Sequence, residues 1–141
     1  MIVYNRYNLL GTIEKNTDAG IYGRLDKTEE LFGKKELVET AAKEEIVTGP
    51  AKMRCFLEDE IREFDIEVMK VDQETAEINK GMMIRVTDEE LLEKTGGIIQ
   101  GMSGSPILQN GKLIGAVTHV FVMDSTKGYG IFAETMLEQL K

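Results

Sequence analysis

"GMSGSPILQNGKLIGAVTH", residues 101–119, decides how the rest of the chain is read. A serine set between glycines and closed by a proline opens a short apolar run at 105–109. The pair Asn110-Gly111 follows, and both positions tolerate the positive φ of a type I′ turn, so a second strand over 112–122 folds back on the first. Working outward, strands are expected at "MMIRV" (82–86) and "GYGIFAE" (128–134). Further upstream, Met53, Cys55 and Leu57 alternate with Lys52, Arg54 and Glu58. Phe64, Ile66 and Val68 alternate in the same way with Glu63, Asp65 and Glu67. Two adjacent alternating runs indicate half-buried antiparallel strands, with a turn at Asp59 and Glu60 closing the hairpin.

Fourteen glycines recur between short apolar runs, which favours many short strands over a few long helices. Two helices are expected. A short one near 88–94, in "DEELLEKTGG", has Thr87 or Asp88 as N-cap, acids in its first turn and Gly96 as its stop. A terminal one, "ETMLEQLK", gathers Met136, Leu137 and Leu140 on one face. Residues 26–46 fit helix or strand equally. The fold class is mainly β with a C-terminal helix, in a single domain over 1–141.

At 141 residues, with 42% hydrophobic and 30% charged side chains, the chain can bury a sizeable core. Its formal charge of −8 repels a phosphate backbone, which argues against nucleic acid as a partner. Cys55 is the only cysteine, so no internal disulfide forms, and no zinc cage or thiol–His pair is suggested. The acids of "EDE" (58–60) and "DEE" (88–90) lack metal-ligand spacing and read as solvated faces, so neither metal nor cofactor is expected. The first eleven residues lack the apolar run of a signal peptide, and no stretch approaches membrane-spanning length.

In G-x-S-G-x-P the first glycine lets successive N–H groups converge, as an oxyanion requires. Here those donors are the amides of Gly101 and Ser103, with Met102 between them, and Gly104 leaves room for a substrate backbone. The same spelling also serves a plain turn into the next strand.

Serine, strand, Asn-Gly turn and a second strand containing Ile-Gly-Ala-Val come in the order of the distal barrel of chymotrypsin-like serine proteases, which this segment resembles. That likeness implies an antiparallel β-barrel of the same type. It also implies a cleft lined by Met102, Gly104, Val117, Thr118, His119 and Val120. The flanks narrow the resemblance. "VTDEELLEKTGGIIQGMSGSPILQNGKLIGAVTHVFV" with "KGYGIFAETML" resembles the C-terminal part of the SpoIVB family of sporulation serine peptidases. So, in the same order, do "GTIEKNTDAGIYGRL" (11–25), "GPAKM" (49–53) and "EFDIEV" (63–68). The resemblance covers nearly the whole chain. It implies a protease exported from the forespore, associated with the membrane, that cleaves a membrane-bound regulatory protein.

Carried across residue by residue, Ser103 matches the family's nucleophile and Asp88, fifteen positions upstream, its triad aspartate. The family's histidine base belongs to a G-A-L-G-H segment ahead of the part that matches 11–25, and no such segment occurs here. "GIYGR" (20–24) imitates it with Arg24 in place of the histidine, but "NTDAGIYGRL" fits a later, non-catalytic segment better. His119 is the single histidine, and its place on a strand past the hairpin suits cleft lining over general-base work. Asp88 has a second role open to it as the helix N-cap. Three functions follow as expectations: a serine endopeptidase part that is silent alone, a non-catalytic peptide-binding or regulatory module, and a part completed by self-association or by a His-bearing segment. Peptides or proteins are the expected partners in each.

Overall fold

The computed structural model describes residues 9–33 and 36–141. The N-terminal stretch read above for a signal peptide lies, through residue 8, outside the described residues. The chain folds as a mainly β protein, with strands β1 (Gly11–Thr17), β2 (Gly20–Leu25), β3 (Gly49–Leu57), β4 (Glu60–Val71), β5 (Met82–Val86), β6 (Pro106–Gln109), β7 (Lys112–Val120) and β8 (Lys127–Phe132). Three short helices accompany them: α1 (Thr28–Phe32), α2 (Glu89–Thr95) and α3 (Ala133–Glu138). Strands β3-β4-β5-β8-β7-β6 form a closed antiparallel barrel, and β1 and β2 form a separate two-stranded sheet.

Alternation builds the barrel. Phe64, Ile66 and Val68 of β4 and Met82, Ile84 and Val86 of β5 all point into one core, joined there by Met53, Ile107, Ile114 and Val117. Burying each such side chain contributes about 1.5–3 kcal/mol. The β3–β4 hairpin turns at Glu58 and Asp59, both with positive φ, because Leu57 pairs with Glu60. Asn110 and Gly111 turn the β6–β7 hairpin in the same way, with φ of 53° and 76°.

Closure between β3 and β6 is brief, at Lys52 opposite Leu108 and Met53 opposite Ile107. A buried side chain extends it. The Gln109 amide donates to the carbonyls of Val47 (2.9 Å) and Pro50 (3.2 Å), and its oxygen accepts the Val47 N–H (3.1 Å).

Two elements differ from expectation, and one open segment is resolved. Strand β7 stops at Val120, and Val122 and Met123 are almost wholly exposed in the following turn. That turn is fixed by Asp124, which accepts the N–H and hydroxyl of Thr126. Helix α3 begins at Ala133 and buries Ala133 and Thr135, whereas Leu137 and Leu140 are exposed. Within 26–46 the chain forms α1, a 3₁₀ turn at Lys43–Glu45 and a parallel bridge from Thr40 to Leu113. Among the described residues no helix is long and apolar enough to cross a membrane.

Candidate active site

The segment between α2 and β6 is a loop braced at both ends. Ile98 N–H donates to Ser125 O (2.7 Å), and Gly104 N–H donates to Val117 O (2.7 Å). Within it Met102 N–H reaches Ile99 O and Ser105 N–H reaches Met102 O, two tight turns in succession. Gly101 and Gly104 have φ of +102° and +91°, which L side chains rarely adopt. A Cβ at either position would meet open space, so glycine is required here by backbone conformation and not by crowding. Met102 turns inward into the core at 6% exposure and anchors the loop, leaving Ser103 exposed between the two glycines. Among the described residues, no protein acceptor takes the N–H of Gly101 or of Ser103.

The Ser103 hydroxyl donates to the carbonyl of Thr118 at 3.1 Å. Thr118 is the extra residue of a bulge in β7: Val117 pairs with Gly130 and His119 already pairs with Tyr129. Bulges recur beside active sites because they re-aim side chains. Here the bulge presents the Thr118 carbonyl to Ser103 while the Thr118 hydroxyl donates to Asn79 O at 2.6 Å.

Ser103, Gly104, Val117, Thr118 and His119 border one cavity of about 480 Å³. His119 is exposed on its wall, and no hydrogen bond joins it to Ser103. Val120 lies one residue further on, paired with Gly128 and outside the cavity lining. The opposite wall comes from the β1–β2 hairpin, residues 18–22, which sequence reasoning did not place at the site. A turn signal was available in "NTDAG", but the flanking runs lack clean alternation. Ala19, Ala116 and Ile131 form a small buried cluster at the base, with Tyr22 and Met136 against it. The Tyr22 hydroxyl donates to Ala19 O at 2.9 Å, and partial burial pushes its phenol above the ordinary value. The hairpin is tied to the end of α3 by the Lys15 ammonium, which donates to the Gln139 and Lys141 carbonyls, and by Thr17 Oγ1 on Gln139 Oε1.

Asp88 is at the opposite end of β5 from Met82, where α2 begins. One carboxylate oxygen caps α2 by accepting Leu91 N–H (3.1 Å), and the other accepts Asp65 N–H (3.0 Å). It does not border the Ser103 cavity. Arg24 pairs with Glu14 within the hairpin, also away from that cavity. The two acidic groups meet cations: Lys94 bridges Glu58 (2.6 Å) and Glu90 (3.1 Å), and Arg62 also binds Glu90. Hydrogen bonds from Arg62 and then Lys94 hold the Glu90 carboxyl below the usual range. Among the described residues no cluster of three or more His, Cys, Asp or Glu could hold a metal ion.

Solved structures share this architecture. The active form of the Rv3671c protease from M. tuberculosis superposes with a TM-score of 0.65 at 13% identity, covering 92% of this chain and 56% of that one. A serine-to-alanine mutant of the same protease, in an inactive form, gives 0.59 at 12% identity, covering 92% and 62%. The inactive form gives 0.57 at 13% identity, covering 92% and 65%. This chain thus spans about three fifths of the length of those proteases, and at such identities the likeness concerns the fold, a barrel of the chymotrypsin-like serine protease type. No curated protein sequence matches. The profile of the family described as SpoIVB peptidase S55 matches residues 1–137. Together with the barrel and its exposed Ser103, that match makes this chain a member of the SpoIVB peptidase S55 family.

Proposed function

We propose that this chain is the serine-bearing part of a serine endopeptidase domain, with Ser103 as nucleophile. The observation that carries the proposal is an exposed serine between two positive-φ glycines, with the free N–H groups of Gly101 and Ser103 at hand for an oxyanion. In the reaction, Ser103 Oγ would attack a peptide carbonyl and give its proton to an imidazole. The tetrahedral oxyanion would rest on the two N–H groups. The imidazolium would return the proton to the leaving amine, and water would then release the acyl group from Ser103.

The imidazole is the missing partner. The 141 residues hold one histidine, His119, and the Ser103 hydroxyl is engaged by the Thr118 carbonyl. We therefore assign the chain no activity by itself, and assign the base to a His-bearing segment supplied in cis or by another molecule. The exposed Leu10, Ile13, Ile21 and Leu25 of the hairpin region are consistent with such association. Asp88 is best supported as a cap, since both carboxylate oxygens already accept backbone N–H groups. Orienting a histidine, its family role, would ask the same carboxylate to receive an imidazole N–H as well. Family resemblance extends the proposal to sporulation signalling, with export and a membrane-bound regulatory protein as substrate.

Incubation of the purified chain with a serine-directed fluorophosphonate tests the silence. Labelling is expected to be slower than in an active protease by about three orders of magnitude or more, since loss of the base removes most of the triad's contribution. Rapid stoichiometric labelling of Ser103 would refute it. A second function, a non-catalytic peptide-binding module, is favoured by the open cavity beside a serine with no bonded base. Peptide binding that survives Ser103→Ala without turnover would select it.

A further inference from the structure

The cavity beside Ser103 has apolar walls, polar groups from Ser103, Asn79, Thr118 and His119, and a single carboxylate. Ala19, Tyr22, Ala116, Val117, Ile131 and Met136 supply its walls, and Asp18 is the one Asp, Glu, Lys or Arg that borders it among the described residues. Asp18 occupies the turn between β1 and β2, where Thr17 pairs with Gly20. The turn is held in place: Thr17 Oγ1 accepts Ala19 N–H at 3.1 Å and reaches Gln139 on α3. Among the described residues Asp18 itself has neither an ion pair nor a hydrogen bond. An unpaired carboxylate at the rim of a cavity with apolar walls suits a side chain with a long hydrocarbon stem and a cationic end. The negative charge of the whole chain, −8, adds steering of the same sign.

From this we infer that the cavity is a subsite for a lysine or arginine side chain of a bound peptide, with the stem against the Ala19–Ala116 floor and the cationic head on Asp18. The inference rests on the proposal that peptides bind beside Ser103, but it needs neither a base nor turnover. An ion pair at a partly screened rim is worth about a fivefold difference in affinity.

Fluorescence anisotropy on the intact chain tests it, using end-capped hexapeptides that differ only in a central lysine, norleucine or glutamate. The lysine peptide is expected to bind about fivefold tighter than the norleucine peptide, and the glutamate peptide weakest. Asp18→Asn, an exposed turn substitution, should close the lysine–norleucine gap, and 0.5 M salt should narrow it in the unsubstituted chain. Equal binding of lysine and norleucine peptides overturns the inference. So does a gap that persists in Asp18→Asn, or binding of none of the three peptides. The nucleophile proposal fails through a different readout, the fluorophosphonate labelling, so the two failures are distinguishable.

Discussion

In the closed barrel, Phe64, Ile66, Met82 and Ile84 are no more than 1% exposed, whereas Ile13 and Ile21 of the β1–β2 hairpin are each 66% exposed. Both regions are antiparallel, and both border the cavity at Ser103. The barrel closes on its own core. The hairpin has two strands, and a lone hairpin is marginal in water. Lys15 and Thr17 tether it to the end of α3 through polar contacts, and the small cluster around Ala19 adds an apolar one. The proposed nucleophile, Ser103, thus sits on the strongly held side of the cavity and Asp18 on the weakly held side. The proposed chemistry and the inferred selection of the peptide would then fall to parts of unequal stability.

Substitutions can break or sharpen that contrast when read by urea denaturation. Phe64→Ala should have the largest effect, about 3–5 kcal/mol, because a fully buried ring leaves a cavity in the barrel. Gln109→Leu should follow at about 2–3 kcal/mol, since the Val47 N–H and the Val47 and Pro50 carbonyls lose their buried partner where strand pairing ends. A value near zero would mean that β3 and β6 close without the amide. Asp88→Ala should cost about 1–2 kcal/mol through the lost α2 cap, and an unchanged midpoint would remove the capping role. Ile13→Ala should come last, within about 0.5 kcal/mol. If it approached the Phe64→Ala value, the hairpin would be as firmly integrated as the barrel and the contrast would fall.

The barrel was legible because its strands alternate and its turns are chemically marked. Phe64, Ile66 and Val68 face inward as their spacing requires, and Asn110-Gly111 turns as its residue types require. Errors arose where apolar content was taken for periodicity. "VFV" at 120–122 reads as strand, yet the Asp124–Thr126 hydrogen bonds pull the chain into a turn and expose Val122. Helix α3 departs for a related reason: the chain leaving β8 after the buried Phe132 turns Ala133 and Thr135 inward, so of the expected face Met136 packs against the Ala19 cluster while Leu137 and Leu140 stay exposed. The turn at Gly101–Ser105 could be read locally, since positive φ and exposed serine both follow from nearby glycines. The far wall could not. Residues 18–22 meet 103–119 only through folding contacts that span most of the chain, and their own exposure pattern gives little alternation to detect.

The bulge at Thr118 acts as a frameshift in the side-chain alternation of β7. With Val117 directed into the core, a regular strand would send residue 119 inward as well. The additional residue resets the parity, so an imidazole that would have been enclosed among apolar side chains stands instead on the cavity wall. Excising a single residue at this point would leave the barrel's neighbouring strands unaltered in sequence while reversing which side chains the cleft presents.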